Sequence, residues 1–466
     1  MMKTFSRRSL FQAATGIALG RAGQASIAEV VPELDKVHKW NDSNGDTWDP
    51  FWADDDNLYA FHCDGRGFGR QPRNLGFDRL SGPGPLQLTG APVNAMDAYG
   101  EAGKKEQDGA TWKACGQECI DSVFYAFVSR NVYGKDSGDS WLRQTAFHSS
   151  LIKSADRGVT WTRSAAENYN GPMWPGPAFG APFFVHYGKN GGDVAQDDAR
   201  RYVYAISTNG FWNDGDHYIA ARVLRAKLPE LRAADWTYFA GGGRWSNRIR
   251  EATPILSLPR RCGQTPPCYI ASLGIYLMVV WYNTEKMTRW FEPNEMRYEF
   301  YQARRPWGPW TAVNGFSDRF LAAGHMYGPS LCAKFQRREG SDVKMILFTS
   351  GCPFEDEPSG LYKAWAIPLI LKTASQPASR VVPATSAGYT FSGTGVDYIT
   401  DKDRGAGSVA VYVDGELAET VSLALDNFPK LRGVTVFRAR WPLPGRHSIR
   451  IVRQPTAADA FRVYGG

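Results

Sequence analysis

The stretch Ser154-Ala155-Asp156-Arg157-Gly158-Val159-Thr160-Trp161 has the pattern S-x-D-x-G-x-T-W. The short Asp156 side chain can brace a turn, Gly158 permits a tight backbone, and Trp161 offers a large ring to pack between strands. The octet therefore reads as a hairpin with a strand on each side. Outward from it, short β-type runs recur at 58–62, 123–130, 202–207, 276–282, 345–349 and 362–370. Clusters of Gly, Pro, Asn and Asp separate them, and helical periodicity is almost absent outside 228–234. Short strands at regular spacing suit a sandwich, a barrel or a propeller.

The octet decides among these. It is the Asp-box of sialidase-like propellers, where its role is structural rather than catalytic. The strand runs group into about five units, starting near 48, 122, 182, 253 and 328. The expected fold is all-β: a five-bladed β-propeller over 29–372 followed by a small β-sandwich domain over 387–466. The segment 373–386, TASQPASRVVPATS, is rich in Ser, Thr, Pro and Ala and reads as a linker. Further strand candidates at 409–416, 420–425, 434–441, 447–452 and 459–463 make the sandwich an accessory module that could itself bind carbohydrate.

The chain has 466 residues, 54 Lys+Arg against 47 Asp+Glu, and a net charge of +7. Its first residues explain much of that excess. Arg7 and Arg8 precede an apolar stretch, and the small residues Ser26 and Ala28 follow it. Residues 1–28 therefore read as a twin-arginine signal peptide, and the mature protein is expected to be periplasmic or secreted. This segment holds Lys3, Arg7, Arg8 and Arg21 and no acid, so removing it leaves 50 basic and 47 acidic residues, or +3. Residues 373–466 carry 11 basic and 8 acidic residues, which leaves 29–372 neutral. That balance does not suit a nucleic-acid binder. No later run approaches the roughly 18 apolar residues of a membrane span. No nucleic acid and no membrane insertion are expected, and the protein is taken as a monomer.

The seven cysteines are Cys63, Cys115, Cys119, Cys262, Cys268, Cys332 and Cys352. In an oxidising compartment they read as disulfides, with Cys115/Cys119, Cys262/Cys268 and Cys332/Cys352 as pairs and Cys63 left over. A zinc site is disfavoured because no second ligand pair with His accompanies them.

Fifteen of the 16 Trp precede residue 373. An exported, near-neutral, Trp-rich domain suits a polysaccharide or oligosaccharide, whose apolar C–H faces stack on flat rings. Trp48, Trp112, Trp174 and Trp212 are the candidate stacking residues, with Lys113, His217 and Tyr327 as further substrate contacts. The densest acidic region runs from Asp42 to Asp56 and leads into the strand at 58–62, beyond which lies Asp64. Asp54, Asp55 and Asp56 read as a solvated turn. Asp46 or Asp49 before the strand and Asp64 after it could meet at the mouth of a propeller channel. Glycosidases need one protonated and one ionised carboxyl, roughly 5–5.5 Å apart for retention and 6.5–9.5 Å for inversion. Asp42, Asn44 and Asp46 also have the spacing of a calcium loop, but Thr47 stands at its sixth position and Ala53 at its twelfth. No metal or other cofactor is expected, a structural calcium being the weaker alternative. No G-x-S-x-G, HExxH, dinucleotide or P-loop fingerprint is present, which disfavours serine hydrolases, zincins and nucleotide enzymes.

The combination of TWDPFWADDDNLYAFHCDG (47–65), SSLIKSADRGVTWTRS (149–164), FFVHYGKN (183–190) and RRYVYAIST (200–208) resembles one bacterial propeller family. The segments at 218–241 and 306–311 extend the likeness over about 40 to 370. It is domain-of-unknown-function family 4185, which includes endo-acting D-arabinanases. The resemblance implies a five-bladed propeller with a sugar cleft and two acids flanking the first strand. Asp46 and Asp64 occupy the matching places. Asp49-Pro50 departs from the simpler pattern by about one residue, and Cys63 stands where a small residue is usual. The partner of Asp64 is thus either Asp46 or Asp49. The leading expectation is a glycoside hydrolase using paired aspartates, with an arabinofuranoside polymer as first substrate. A non-catalytic glycan-binding propeller and a polysaccharide lyase using His217 and Tyr327 are the alternatives.

Overall fold

The computed structural model describes residues 25–134, 141–163, 171–193, 200–283, 296–317, 325–354, 360–375, 379–385, 387–403, 405–424, 430–457 and 459–464. The chain divides into two compact units, Ser26–Ala374 and Ser375–Gly466. Among the described residues no helix is long and apolar enough to cross a membrane.

The larger unit is a β-propeller built from antiparallel meanders in chain order. The first joins Phe51–Trp52, Leu58–Gly65, Arg73–Ser81 and Thr89–Asn94. The second joins Thr111–Ile120, Val123–Val132, Thr145–Ser154 and Thr162–Arg163. The third runs from Pro182–Phe184 through Tyr202–Thr208, Gly215–Leu224 and Trp236–Phe239 to Trp245–Ser246, with Leu256–Cys262 paired to Gly215–Leu224. The fourth holds Cys268–Ile270, Ile275–Asn283, Met296–Ala303 and Thr311–Ser317. The fifth holds His325–Glu339, Asp342–Cys352 and Ala364–Ser375 and is completed by the early strand His38–Lys39. Ala25–Pro32 lies between the fourth and fifth, so the two form one continuous sheet.

Packing joins successive meanders face to face. Phe51, Tyr59 and Phe77 of the first meet Phe124, Ala126 and Ile152 of the second. Phe127 and Leu151 of the second meet Phe184, Ala205 and Trp236 of the third. Tyr204 and Tyr218 of the third meet Tyr276, Met278 and Trp310 of the fourth. Ile346, Phe348 and Ala364 of the fifth meet Leu58, Ala60 and Leu80 of the first, which closes the ring. Each fully buried ring or aliphatic side chain contributes about 1.5–3 kcal/mol, so these interfaces hold the unit together.

The Asp-box forms the expected hairpin between the third and fourth strands of the second meander, with Lys153 opposite Thr162. Asp156 accepts from Thr160 N at 2.9 Å and Thr160 Oγ1 at 2.6 Å. Gly158 has φ +87°, and a Cβ there would overlap the Phe77 ring of the neighbouring meander.

Two expected starts are corrected. The second meander begins at Thr111 rather than near 122, and the fourth at Cys268 rather than near 253. Thr111–Ile120 is buried throughout yet carries Lys113, Gln117 and Glu118, so neither alternation nor an apolar run marks it as a strand. Leu256–Cys262 reads as the opening of a unit but pairs back onto the third meander.

Residues 1–24, with the twin-arginine pair, lie outside the described residues. Ala25–Pro32 is a strand in which Ile27 is buried and exchanges two hydrogen bonds with the Gln302 side chain, at 2.8 and 2.7 Å.

In the smaller unit one six-stranded antiparallel sheet holds Ser379–Pro383, Ala460–Tyr464, Gly388–Asp403, Lys430–Ile451, Ser408–Val413 and Glu416–Ser422, in that order. Phe391, Val396, Val411, Val421, Ile449 and Phe461 share one core, which a flat sheet could not bring together, so the sheet folds over itself. Ser379–Pro383 lies within the segment read as linker but pairs with Ala460–Tyr464 as an edge strand.

The expected disulfides are absent, since all seven cysteines are free and buried. Register explains two cases. Cys332 pairs with Ile346 while Cys352 pairs with His325, which puts the two cysteines on separate rungs of one hairpin, six residues apart along the second strand. Cys115 and Cys119 lie four positions apart on one extended strand, beyond the 4.4–6.8 Å usual between bridged Cα atoms. Burial pushes the thiols up, Cys63 and Cys332 to about 12, so they behave as small apolar groups.

Candidate active site

Asp46 and Cys63 form an antiparallel bridge, with Asp46 N donating to Cys63 O at 2.9 Å and Cys63 N to Asp46 O at 2.8 Å. This bridge brings Asp46 beside Asp64 at the end of the second strand of the first meander. Regular strand geometry would alternate neighbouring side chains across the sheet. Asp64 instead has φ +48°, a left-handed conformation unusual for a non-glycine residue and concentrated at functional sites.

Lys113, from the inner strand of the second meander, pairs its ammonium with Asp64 Oδ2. The lysine side chain is 8% exposed and that of Asp64 22%. Burial opposes the charge on Lys113, but Asp64 and Asp46 outweigh it and hold the ammonium above its ordinary range. The other Asp64 oxygen, Oδ1, is buried without a hydrogen-bond partner among the described residues.

Asp46 is 7% exposed. Its Oδ2 accepts from the hydroxyls of Tyr327 at 2.8 Å and Tyr362 at 3.2 Å, and its Oδ1 from Thr47 Oγ1 at 3.2 Å. Tyr362 also donates to the Asp64 carbonyl at 3.1 Å. Burial pushes the Asp46 carboxyl up to about 6, with Asp64 pushing the same way and Lys113 and the two tyrosines pulling back. Blades one, two and five thus assemble a pair of unequal carboxyls around one ammonium.

Asp49 stands elsewhere. Its Oδ1 lies 2.8 Å from His186 Nε2 and accepts from Ser330 Oγ at 2.6 Å. His186 Nδ1 lies 2.8 Å from Glu118 Oε2, and the His186 backbone donates to Pro267 O at 2.8 Å. All five meanders reach this buried knot. Burial alone would lower His186, but Asp49 and Glu118 overcome it and raise the imidazole to about 10. The imidazolium is therefore a fixed positive charge between two carboxyls. Of the two candidate partners for Asp64, the structure sets Asp46 beside it and Asp49 in the knot.

The tryptophans expected to stack on sugar are packing residues. Trp48 is 1% exposed, Trp112 9%, Trp174 5% and Trp212 4%. Trp48 donates to Gly45 O at 3.0 Å, and Trp174 to the Tyr238 hydroxyl at 2.7 Å. Trp112 lies against the Arg130 guanidinium, and Trp212 sits in the core between the second and third meanders. Each ring fills space between sheets and presents no open face. His217 lies in the third meander opposite Ser257, apart from Tyr327 in the fifth, and burial lowers it to about 4. In the candidate calcium loop, Asn44 Oδ1 accepts from Arg66 N at 3.3 Å. Among the described residues no group of three or more His, Cys, Asp or Glu side chains is gathered to hold a metal.

Tyr362, Glu118, His186 and Ser330 were not singled out as site residues from sequence. Glu118 carried no local signal either, since nothing in the composition of Thr111–Ile120 marks it as a buried strand.

The class these features define is an all-β propeller with inequivalent carboxyls on its first blade. The chain belongs to the family described as Domain of unknown function (DUF4185), which matches residues 98–350. Asp46, Asp49 and Asp64 precede the matched range. No curated protein matches the chain. Among solved structures, xylan beta-1,4-xylosidase from Bacillus halodurans aligns at 10% identity over 92% of this chain and 100% of its own, with a TM-score of 0.40. Exo-inulinase from Aspergillus awamori aligns at 12% identity over 95% of each chain, with a TM-score of 0.40. Endo-arabinase from Bacteroides thetaiotaomicron aligns at 9% identity over 72% of this chain and 96% of its own, with a TM-score of 0.37. Likeness at this level leaves function to be argued from the site.

Proposed function

We propose that the protein is an exported glycoside hydrolase whose five-bladed propeller cleaves a polysaccharide, with Asp46 and Asp64 as its paired carboxyls. The observation that carries this reading is their inequivalence. Asp46 is buried and holds its proton up to about 6, while Asp64 faces the Lys113 ammonium and keeps one oxygen without a partner. Glycosidases depend on two carboxyls whose environments differ in this way. Asp46 then protonates the departing glycosidic oxygen. Asp64 Oδ1 either attacks the anomeric carbon or takes a proton from the attacking water. Lys113 holds Asp64 through its Oδ2, and Tyr327 and Tyr362 fix the orientation of Asp46.

The resemblance to a family that includes endo-D-arabinanases makes arabinofuranoside polymers the first substrates to try. Export through the twin-arginine pathway delivers the enzyme to the periplasm or beyond, where such polymers occur, and the C-terminal unit serves as an accessory module. The test is a panel of polysaccharides incubated with the wild type, Asp46→Asn and Asp64→Asn, with products resolved by size. Each variant is expected to lose about 10²–10⁴-fold in kcat. Full activity in both would remove the assignment. One observation favours a second reading, a propeller that binds glycan without cleaving it: two tyrosine hydroxyls already occupy Asp46 Oδ2. That reading expects glycan retention with no change in product size.

A further inference from the structure

The buried knot around His186 takes no part in the reaction, yet it shares two chain segments with the carboxyl pair. Asp46 and Asp49 stand three positions apart on the segment that enters the first meander, and Tyr327 and Ser330 stand three positions apart in the fifth. Tyr327 donates to Asp46 Oδ2 at 2.8 Å, and Ser330 Oγ donates to Asp49 Oδ1 at 2.6 Å. The two segments therefore run side by side in the same direction, joined by one hydrogen bond at each end.

Regular sheet pairing fixes neither segment. Among the described residues the first pairs through the isolated Asp46–Cys63 bridge, and Thr47 has φ +55°. In the second the register to the neighbouring strand shifts between Tyr327 and Ser330, and Gly328 has φ +59°. Close packing does not join them throughout either, because Thr47, Trp48, Asp49, Gly328, Pro329 and Ser330 line a common cavity. The two hydrogen bonds are thus the links that set one segment against the other. The Ser330 link is the anchored one. Ser330 and Asp49 are each 2% exposed, and 2.6 Å is a length typical of a hydroxyl on a carboxylate. His186 Nε2 lies 2.8 Å from the same Asp49 oxygen, and Glu118 Oε2 lies 2.8 Å from His186 Nδ1.

We propose that Ser330 and Asp49, braced by His186 and Glu118, are positioning residues for the catalytic pair. They hold segments 46–49 and 327–330 in register, so that the Tyr327 hydroxyl meets Asp46 and the Asp46 carboxyl stays beside Asp64. Asp49 is then neither acid nor nucleophile but the fixed end of the strap that carries Asp46. The inference rests on the hydrolase reading for its effect on catalysis, and on the geometry of the two segments for its effect on Asp46.

The test compares the wild type with Ser330→Ala, the near-isosteric Ser330→Cys, Tyr327→Phe and their combinations, each also made in an Asp46→Asn background. Urea unfolding across pH gives the stability difference between each protein and its Asp46→Asn counterpart. That difference reports the midpoint at which Asp46 loses its proton, about 6 in the wild type. Asp64, Lys113, Tyr362, Thr47 and Cys63 also face Asp46 and are left in place. Loss of a donor to a carboxylate raises its midpoint. Ser330→Ala and Ser330→Cys are expected to raise it by about half to one pH unit, as Tyr327→Phe does, and the combinations to add little more. On arabinan, Ser330→Ala should lower kcat about 10- to 100-fold with KM held within about twofold. An unmoved midpoint, losses that simply multiply, or a near-wild-type kcat in an active enzyme would each overturn the positioning role and leave the hydrolase reading standing. A raised midpoint in the Ser330 variants, with no polysaccharide cleaved by the wild type, would keep the hold on Asp46 and overturn the hydrolase.

Discussion

Replacing Asp46 with asparagine should abolish activity and stabilise the fold at the same time. The carboxyl rises from an ordinary value of 3.8 to about 6 because burial penalises its charge more than Lys113 and the two tyrosines reward it. Between those two values the folded protein keeps a proton that the unfolded chain has lost. Stability therefore falls as pH rises through this window, and above it the whole penalty is present. A shift of about two units at 1.36 kcal/mol per unit puts that penalty on the order of 3 kcal/mol. Asparagine removes the charge while its Oδ1 can still accept from Tyr327 and Tyr362. Urea unfolding followed by tryptophan fluorescence reports on the propeller, since fifteen of the 16 Trp precede residue 373. Asp46→Asn should exceed the wild type by about 3 kcal/mol near pH 8, with the difference shrinking toward about pH 4. Activity should drop about 10²–10⁴-fold. A variant that is destabilised near pH 8, or whose stability runs parallel to the wild type across the window, would refute the argument that Asp46 is held against its own charge.

Three further outcomes follow from other parts of the molecule. His186→Gln removes the cation between Asp49 and Glu118 and should cost about 3–5 kcal/mol in urea unfolding. In the wild type, the stabilisation from His186 is complete below its ordinary value of 6.5 and is lost as pH rises through about 10, a slope that His186→Gln should lack. Gly158→Ala places a side chain at positive φ against the Phe77 ring and should cost about 2–4 kcal/mol while kcat stays near wild type. Thiol titration of the protein unfolded without reductant should find all seven cysteines free, and a reducing agent should leave the melting temperature unchanged. Fewer than seven thiols, or a melting temperature that falls on reduction, would restore the disulfide framework.

The propeller was legible because its signals are local. The Asp-box needs only a braced turn and a ring to pack, and both are specified within eight residues. The strand runs at 58–62, 202–207 and 276–282 lie inside observed strands because β-branched and aromatic residues mark buried sheet wherever they occur. The inner strand Thr111–Ile120 escaped that logic. A strand beside a propeller axis buries polar residues such as Lys113 and Glu118 against partners from other blades, so its composition no longer resembles a sheet core.

Residue type alone singled out Asp46, Asp49 and Asp64 as candidate acids. It could not say which two belong together, because the answer lies in a bridge to Cys63 and a left-handed turn at Asp64. Nor could it tell that the tryptophans in loop-like sequence fill the space between blades. Trp48, Trp112, Trp174 and Trp212 look exposed in loop-like sequence, yet each is buried in the structure.

The sequence by itself determined an all-β chain, a hairpin at 154–161 and a short set of acids able to do chemistry. The tertiary structure alone decided which of those acids share a lysine and which is locked to a histidine. The reason is physical. Strand and turn preferences are written over a few consecutive residues, but a carboxyl's proton affinity depends on burial and on charges and hydroxyls that other blades carry in from as far as 316 positions along the chain.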